Sequence, residues 1–163
     1  VDSVTEGAAC TTLLAREYID NENPLVIANS DQFVEWNSNE VLYAFSTEGV
    51  GGGILTFEST HPKWSFARTD ENGWVTEVAE KQPISNHATV GVYYYAHGSD
   101  YVNSADSMIE KDIRTNNEFY VCPVYNQFIE SGGKVRIKNI DRMWGLGTPE
   151  DLNNFMSNYS GSF

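Results

Sequence analysis

Apolar positions run without a polar break through Leu25, Val26, Ile27 and Ala28, then give way to the polar group Asn29-Ser30-Asp31-Gln32. A continuous apolar run with β-branched residues predicts a strand covered on both faces. In an open α/β sheet a residue leaving such a strand at its carboxyl end stands at the ligand crevice, which puts Asp31 there. Upstream, Thr11, Leu14, Ala15 and Tyr18 recur at the spacing of one helix face. They predict a helix over residues 7–19, with Glu6 at its positive end. Ser38 is placed to cap a shorter helix carrying Val41, Leu42 and Phe45, stopped by Gly49. Helix, strand, helix is half of a parallel α/β unit.

The middle of the chain is β-rich. Gly51-Gly52-Gly53 has neither the Lys-Ser/Thr ending of a P-loop nor the Gly-x-Gly-x-x-Gly pattern, and reads as a flexible turn before a strand at 54–58. Residues 65–69 and 74–79 flank Asp70-Glu71-Asn72-Gly73, a hairpin signal, and a further strand is expected at 89–95. Tyr101, Ala105, Met108 and Ile109 share one face of a helix over 99–113. A second helix is expected over 119–130, with Pro123 in its first turn, and a late strand over 134–140. Thr148-Pro149-Glu150-Asp151 supplies an N-cap, a proline at the first helical position and acids in the first turn. That helix should reach about Tyr159, with residues 160–163 frayed and residues 1–6 forming a tail.

Length and composition narrow the function classes. A chain of 163 residues, 40% hydrophobic and 20% charged, is expected to be one globular domain, residues 1–163. It has no apolar run long enough to span a bilayer and no basic, apolar leader, so no membrane role is expected. The net charge of −13, from 23 acids against 10 bases, argues against nucleic acid as a partner. Cys10 and Cys122 lie far apart with no Cys-x-x-Cys, so neither a disulfide scaffold nor a zinc site is expected and a cytoplasmic location is the default. A carboxylate at the exit of a buried strand can hold Mg²⁺ through water and substrate phosphates, because that ion needs few protein ligands. Asp31 reads equally as a helix N-cap or a turn former.

Three stretches together resemble the sugar-phosphate nucleotidyltransferases, of which the glucose-1-phosphate thymidylyltransferases are a type. They are Thr5-Glu6-Gly7-Ala8-Ala9 followed by Ala28-Asn29-Ser30-Asp31; the segment from Glu77 through Glu80-Lys81-Gln82-Pro83 to Gly91-Val92-Tyr93-Tyr94-Tyr95; and Trp144-Gly145-Leu146-Gly147-Thr148-Pro149-Glu150-Asp151-Leu152. The second is similar to the family's Glu-Lys-Pro segment leading into a Gly-hydrophobic-Tyr strand, the third to its Gly-Thr-Pro-Glu-x-Leu ending. The resemblance implies a Rossmann-like α/β fold, a mixed sheet with flanking helices, incomplete at its N-terminus. It implies transfer of a nucleotidyl group from a nucleoside triphosphate to a sugar 1-phosphate with release of pyrophosphate, and Mg²⁺ as cofactor.

Residue by residue, the resemblance implies Asp31 as metal ligand and Lys81 beside the sugar phosphate as a point charge. Gly7 would let the backbone approach the base, and Glu80 would accept hydrogen bonds from sugar hydroxyls. Ser65 stands where the family has a sugar-contacting glycine, and Trp64 and Trp144 flank the implied sugar pocket. Gly145 replaces the acid that often serves as second metal ligand, leaving Asp141 or Asp151 as substitutes. The family's Gly-x-Gly-Thr-Arg triphosphate loop does not occur in these 163 residues. Activity of this chain alone is therefore expected to be impaired, and a non-catalytic paralogue binding a sugar phosphate or a protein partner is the alternative. A metal-dependent glycosyltransferase, weaker still, would want a second acid where Phe33 stands. A missing first strand would leave an apolar sheet edge, so the chain is expected to be a homo-oligomer or to take a strand from another chain.

Overall fold

The computed structural model describes residues 3–161, so the expectations for residues 1–2 and 162–163 lie outside it. The chain opens with two short helices, α1 (Ala8–Leu13) and α2 (Arg16–Ile19), then β1 (Leu25–Ala28), β2 (Gln32–Glu35) and α3 (Ser38–Thr47). Four strands follow, β3 (Gly52–Glu58), β4 (Ser65–Thr69), β5 (Val75–Glu80) and β6 (His87–Tyr95). The remainder is α4 (Gly98–Glu110), α5 (Val124–Glu130), β7 (Val135–Asn139), β8 (Arg142–Gly145) and α6 (Pro149–Asn158).

Strands β5-β4-β6-β3-β7 form one mixed sheet to which β1 adds through β6, while β2 and β8 make a separate antiparallel pair. The sheet is covered on both faces. Ile54, Tyr93 and Tyr95 point into a core shared with Tyr101 and Met108 of α4 and Tyr125 and Phe128 of α5. Leu55, Val92 and Tyr94, one residue along, pack with Val41 and Phe45 of α3. Alternate residues thus serve opposite layers, as the two-residue strand period requires. Tyr125 ties the layers together, its buried hydroxyl shared between the carbonyls of Gly53 at 2.9 Å and Tyr94 at 2.8 Å.

Several expectations are corrected. The strand at Leu25 is not central and covered on both faces. Its burial alternates, Val26 is 42% exposed, and it runs antiparallel to β6, whereas the parallel pairing is that of β3 with β7. The helix over residues 7–19 is two pieces with a turn at Leu14 and Ala15, and its inward side is Ala9, Cys10 and Leu13; Leu14 and Tyr18 face solvent. Asn37, not Ser38, caps α3, accepting from the Glu40 N–H at 3.2 Å. Residues 119–123 lie outside the helix expected there, and Pro123 is the N-cap of α5.

The glycine run is no flexible turn either. Gly52 and Gly53 are buried in β3, and a Cβ would come within 2.8 Å of Tyr125 at the first and 2.6 Å of Phe45 at the second. Side chains from the two helical layers press on the strand too closely for anything larger. The β2–β8 pair escaped the hydrophobic pattern because its partners are more than a hundred residues apart and each strand is only four residues long.

Candidate active site

The site arises from a gap in the sheet. On one edge β6 pairs with β3. On the other, β1 covers Val92 to Tyr95 and β4 meets only Ala88, so residues 89–91 have no strand beside them. A bulge falls here, since Ile54 faces Tyr93 but Thr56 faces Thr89, and Gly91 takes a positive φ of 74°. Its carbonyl accepts the Asn29 N–H at 2.9 Å, so the chain leaving β1 is held over the gap. A positive φ of this kind costs an ordinary residue free energy and is routine only for glycine. Asn29 lies directly over the missing Cβ.

Two adjoining cavities occupy the gap and share Asn29, Gln32, Lys63 and Trp64. The inner one, about 150 Å³, runs past Ser65, Glu80, Thr89 and Tyr93. The outer one, about 220 Å³, reaches Asp31, Gly145, Thr148 and Asp151. A third cavity, about 450 Å³, lies on the other side of Asp31 between α1 and the end of β1, lined by Ala8, Thr11, Thr12 and Val121 among others. Asn29 and Asp31 line both the outer cavity and this third one. Asp31 is held at that junction by the β2–β8 pair, its carbonyl accepting the Leu146 N–H at 2.8 Å.

The polar groups of the inner cavity are set by burial. Glu80 accepts a short hydrogen bond from the buried Ser65 hydroxyl. Burial raises its carboxyl above the usual range, with the Ser65 bond and nearby Lys81 pulling the other way. At the outer end, Thr148 caps α6 by accepting the Asp151 N–H at 3.1 Å, and its hydroxyl donates back to the Asp151 carboxylate at 2.8 Å. That bond, followed by Lys63 at 3.3 Å, holds Asp151 below the usual carboxylate range. Amides, hydroxyls, an indole and a carboxyl around a small cavity suit a polyhydroxylated ligand, and Lys63 adds a cation for an anionic group.

No protein-family model matches the chain, and no curated protein matches it in sequence. Among solved structures it is similar to the nucleoside-diphosphate-sugar pyrophosphorylase from Vibrio cholerae RC9, with a TM-score of 0.81 and 24% identity, covering 97% of this chain and 68% of that one. It is also similar to a Bacillus anthracis structure assigned as a glucose-1-phosphate thymidylyltransferase, in complex with a sucrose. There the TM-score is 0.75 and the identity 16%, covering 100% of this chain and 66% of that one. This is the fold of the sugar-phosphate nucleotidyltransferases. At these identities the likeness is one of fold, and the chain spans about two thirds of the length of each neighbour.

Within this nucleotidyltransferase fold the residues singled out from the sequence separate. Asp31, Ser65 and Glu80 come together along the cleft, with Trp64 beside them. Lys81 lines none of the three cavities. Its backbone has a positive φ of 55°, and its ammonium donates to the Tyr120 hydroxyl at 2.9 Å, which raises its pKa. Trp144 packs edge-on against Phe155 and Tyr159, with its indole N–H on Glu35 at 2.9 Å, on a surface it shares with Arg142. Gly7 is the N-cap of α1, where a Cβ would fall 2.5 Å from the Phe119 carbonyl oxygen. The chain's own packing therefore demands this glycine, and Ala8 is the residue that reaches the third cavity. Phe33 is turned into the Phe155–Tyr159 cluster.

Sequence reasoning missed Asn29, Gln32 and Lys63 as cleft residues. Asn29 sat inside a quoted motif with no role, and Gly91 opposite it was the available signal. Of the two acids left as replacements at Gly145, Asp151 lines the outer cavity, with its carboxyl carbon 3.5 Å from where a Gly145 Cβ would be. Asp141 is exposed and lines none of these cavities. Among the described residues no group of three His, Cys, Asp or Glu side chains could hold a metal ion, and no helix is long and apolar enough to cross a membrane.

Proposed function

We propose that this chain carries the sugar-phosphate half and the metal-bearing carboxylate of a nucleotidyltransferase. In the reaction an oxygen of a sugar 1-phosphate attacks the α-phosphorus of a nucleoside triphosphate. The bond from that phosphorus to the oxygen bridging to the β-phosphorus breaks, and pyrophosphate leaves with its electron pair. The observation that carries the reading is the position of Asp31, at the junction of the Trp64–Glu80 cleft with the cavity between α1 and β1. A sugar phosphate in the first and a nucleotide in the second would meet at this carboxylate.

In this reading Glu80 and the Ser65 hydroxyl orient sugar hydroxyls, and Trp64 supplies an apolar wall. Asp31 suits Mg²⁺, which binds through one or two carboxylates and completes its shell with water and phosphate oxygens. Asp151 is the second carboxylate on the same cavity. Mg²⁺, when bound, would neutralise charge on the phosphates and so favour the displacement.

The test is exchange of labelled pyrophosphate into a nucleoside triphosphate with Mg²⁺ and a panel of hexose 1-phosphates. Weak exchange is expected from this chain alone, reduced further in Asp31→Asn by about a hundredfold or more, the scale of losing one preorganised electrostatic contact. A second reading, a sugar-phosphate binder without catalysis, draws support from the absence of a Gly-x-Gly-Thr-Arg loop in these 163 residues. Binding of a hexose 1-phosphate with no exchange selects it, and absence of both binding and exchange overturns the two together.

A further inference from the structure

We propose that Lys63, not the motif lysine Lys81, takes the phosphate of the sugar substrate, and that it does so by leaving Asp151. The inference rests on the nucleotidyltransferase reading for the identity of the ligand, and on geometry for the residue.

Lys63 lies in the loop between β3 and β4, where a turn fixes it. Its N–H donates to Nδ1 of His61 at 3.2 Å, and the next N–H, of Trp64, returns to the His61 carbonyl at 3.3 Å. Among the described residues lining the inner and outer cavities it is the cation, and it also borders the hollow at the start of α6. Its ammonium sits 4.5 Å from the centre of the Trp64 ring and 3.3 Å from Oδ1 of Asp151. Lys81 lines neither of these cavities, and its ammonium lies instead on the Tyr120 hydroxyl, 4.8 Å from the centre of that ring.

The Lys63–Asp151 pair is built to part. Both side chains are partly exposed, 46% and 30%, so water screens the attraction and the pair is weak. Asp151 does not depend on it, because its Oδ2 already accepts the Thr148 hydroxyl and its N–H is held by the same residue. When Lys63 leaves, the carboxylate keeps a hydrogen bond and stays anchored at the first turn of α6, where a negative charge is favoured. A phosphate monoester offers Lys63 up to two negative charges and several acceptor oxygens against one carboxylate oxygen at long range, so exchange is downhill for the ammonium. The same movement uncovers an Asp151 oxygen toward the cavity that Asp31 lines. Substrate binding and exposure of a second carboxylate are thereby linked.

The test is calorimetric titration, without nucleotide or metal, of the panel of hexose 1-phosphates, and in parallel of the uncharged methyl glycosides of the same sugars. Wild type is compared with Lys63→Gln, Lys63→Arg, Lys81→Gln and Asp151→Asn, each first shown by thermal melting to be folded. Lys63→Gln is expected to weaken hexose 1-phosphate binding about tenfold or more while leaving the methyl glycoside unchanged, a split that a merely structural role would not produce. Lys63→Arg should recover part of the loss. Lys81→Gln should stay within about twofold of wild type, since Lys81 lines neither the inner nor the outer cavity. Asp151→Asn, which releases Lys63, should tighten phosphate binding. A loss in Lys81→Gln with none in Lys63→Gln, or a weakening in Asp151→Asn, overturns this inference and leaves the nucleotidyltransferase reading standing. Failure of wild type to bind any hexose 1-phosphate overturns both.

Discussion

The bulge at Gly91 joins the fold to the site, and Gly91→Ala tests that joint. Two costs are expected. The first is conformational: a φ of 74° places an L-residue in the left-handed region, at roughly 1–2 kcal/mol. The second is steric. A Cβ at Gly91 would fall 2.4 Å from Nδ2 and 2.7 Å from Cγ of Asn29, closer than atoms pack, and Asn29 is tethered there by its own N–H to the Gly91 carbonyl. Relieving such an overlap costs roughly 1–3 kcal/mol, toward the lower end because Asn29 is exposed and its amide can swing aside.

Gly49 isolates the first cost, since it has a φ of 65° and nothing within 4 Å of its missing Cβ. In a domain of this size each kcal/mol moves the melting midpoint by about 2–4 °C, so Gly49→Ala should fall by about 2–8 °C and Gly91→Ala, with the steric cost added, by about 4–16 °C. Calorimetric or circular dichroism melts measure the two. Asn29→Ala combined with Gly91→Ala should recover the difference between them and no more. Equal destabilisation at the two glycines, or no recovery in the double variant, would refute the reasoning that the bulge is packed against Asn29. Displacement of Asn29 should also weaken hexose 1-phosphate binding in Gly91→Ala and not in Gly49→Ala.

Further outcomes concern the cleft acid and the sheet edge. Burial raises the folded-state pKa of Glu80 above the value of 4.5 that the unfolded chain would show. The native protein therefore holds this proton longer, and the group costs stability as pH rises from about 4.5 through the folded value. Glu80→Gln should accordingly gain on wild type in urea midpoint between pH 4 and pH 7, and a difference that is flat or runs the other way across that range (about three units) rules out a desolvated Glu80. Strand β1 pairs only with β6 among the described residues and leaves Val26 42% exposed, an open apolar edge. Wild type is expected to self-associate in sedimentation velocity and Val26→Lys to do so less, since an edge charge blocks strand pairing, whereas a compact wild-type monomer at all concentrations tells against the edge as an interface.

The chain's own pattern determined the elements whose signals are local. Tyr101, Ala105 and Met108 stood at helical spacing and are buried along α4, and Thr148-Pro149 carried the start of α6 in its local chemistry, because capping and amphipathic burial depend on residues a few positions apart. The resemblance carried by Asn29-Ser30-Asp31, Glu80 and the Gly147-Thr148-Pro149 ending agrees with the fold found among solved structures. What the sequence could not decide was anything resting on distant partners. Leu25 to Ala28 looked like a central strand because an apolar run says nothing of which neighbours pair with it, and only the sheet shows it at the edge. Gly52 and Gly53 looked like a flexible turn because the rings that fill their missing side chains come from the distant Tyr125 and from Phe45 of another layer. The cleft followed the same rule. Lys63 and Asp151, 88 positions apart, meet only because the β2–β8 pair and the gap between β1 and β4 bring the β3–β4 loop and the first turn of α6 to one cleft, and no local periodicity records such a meeting.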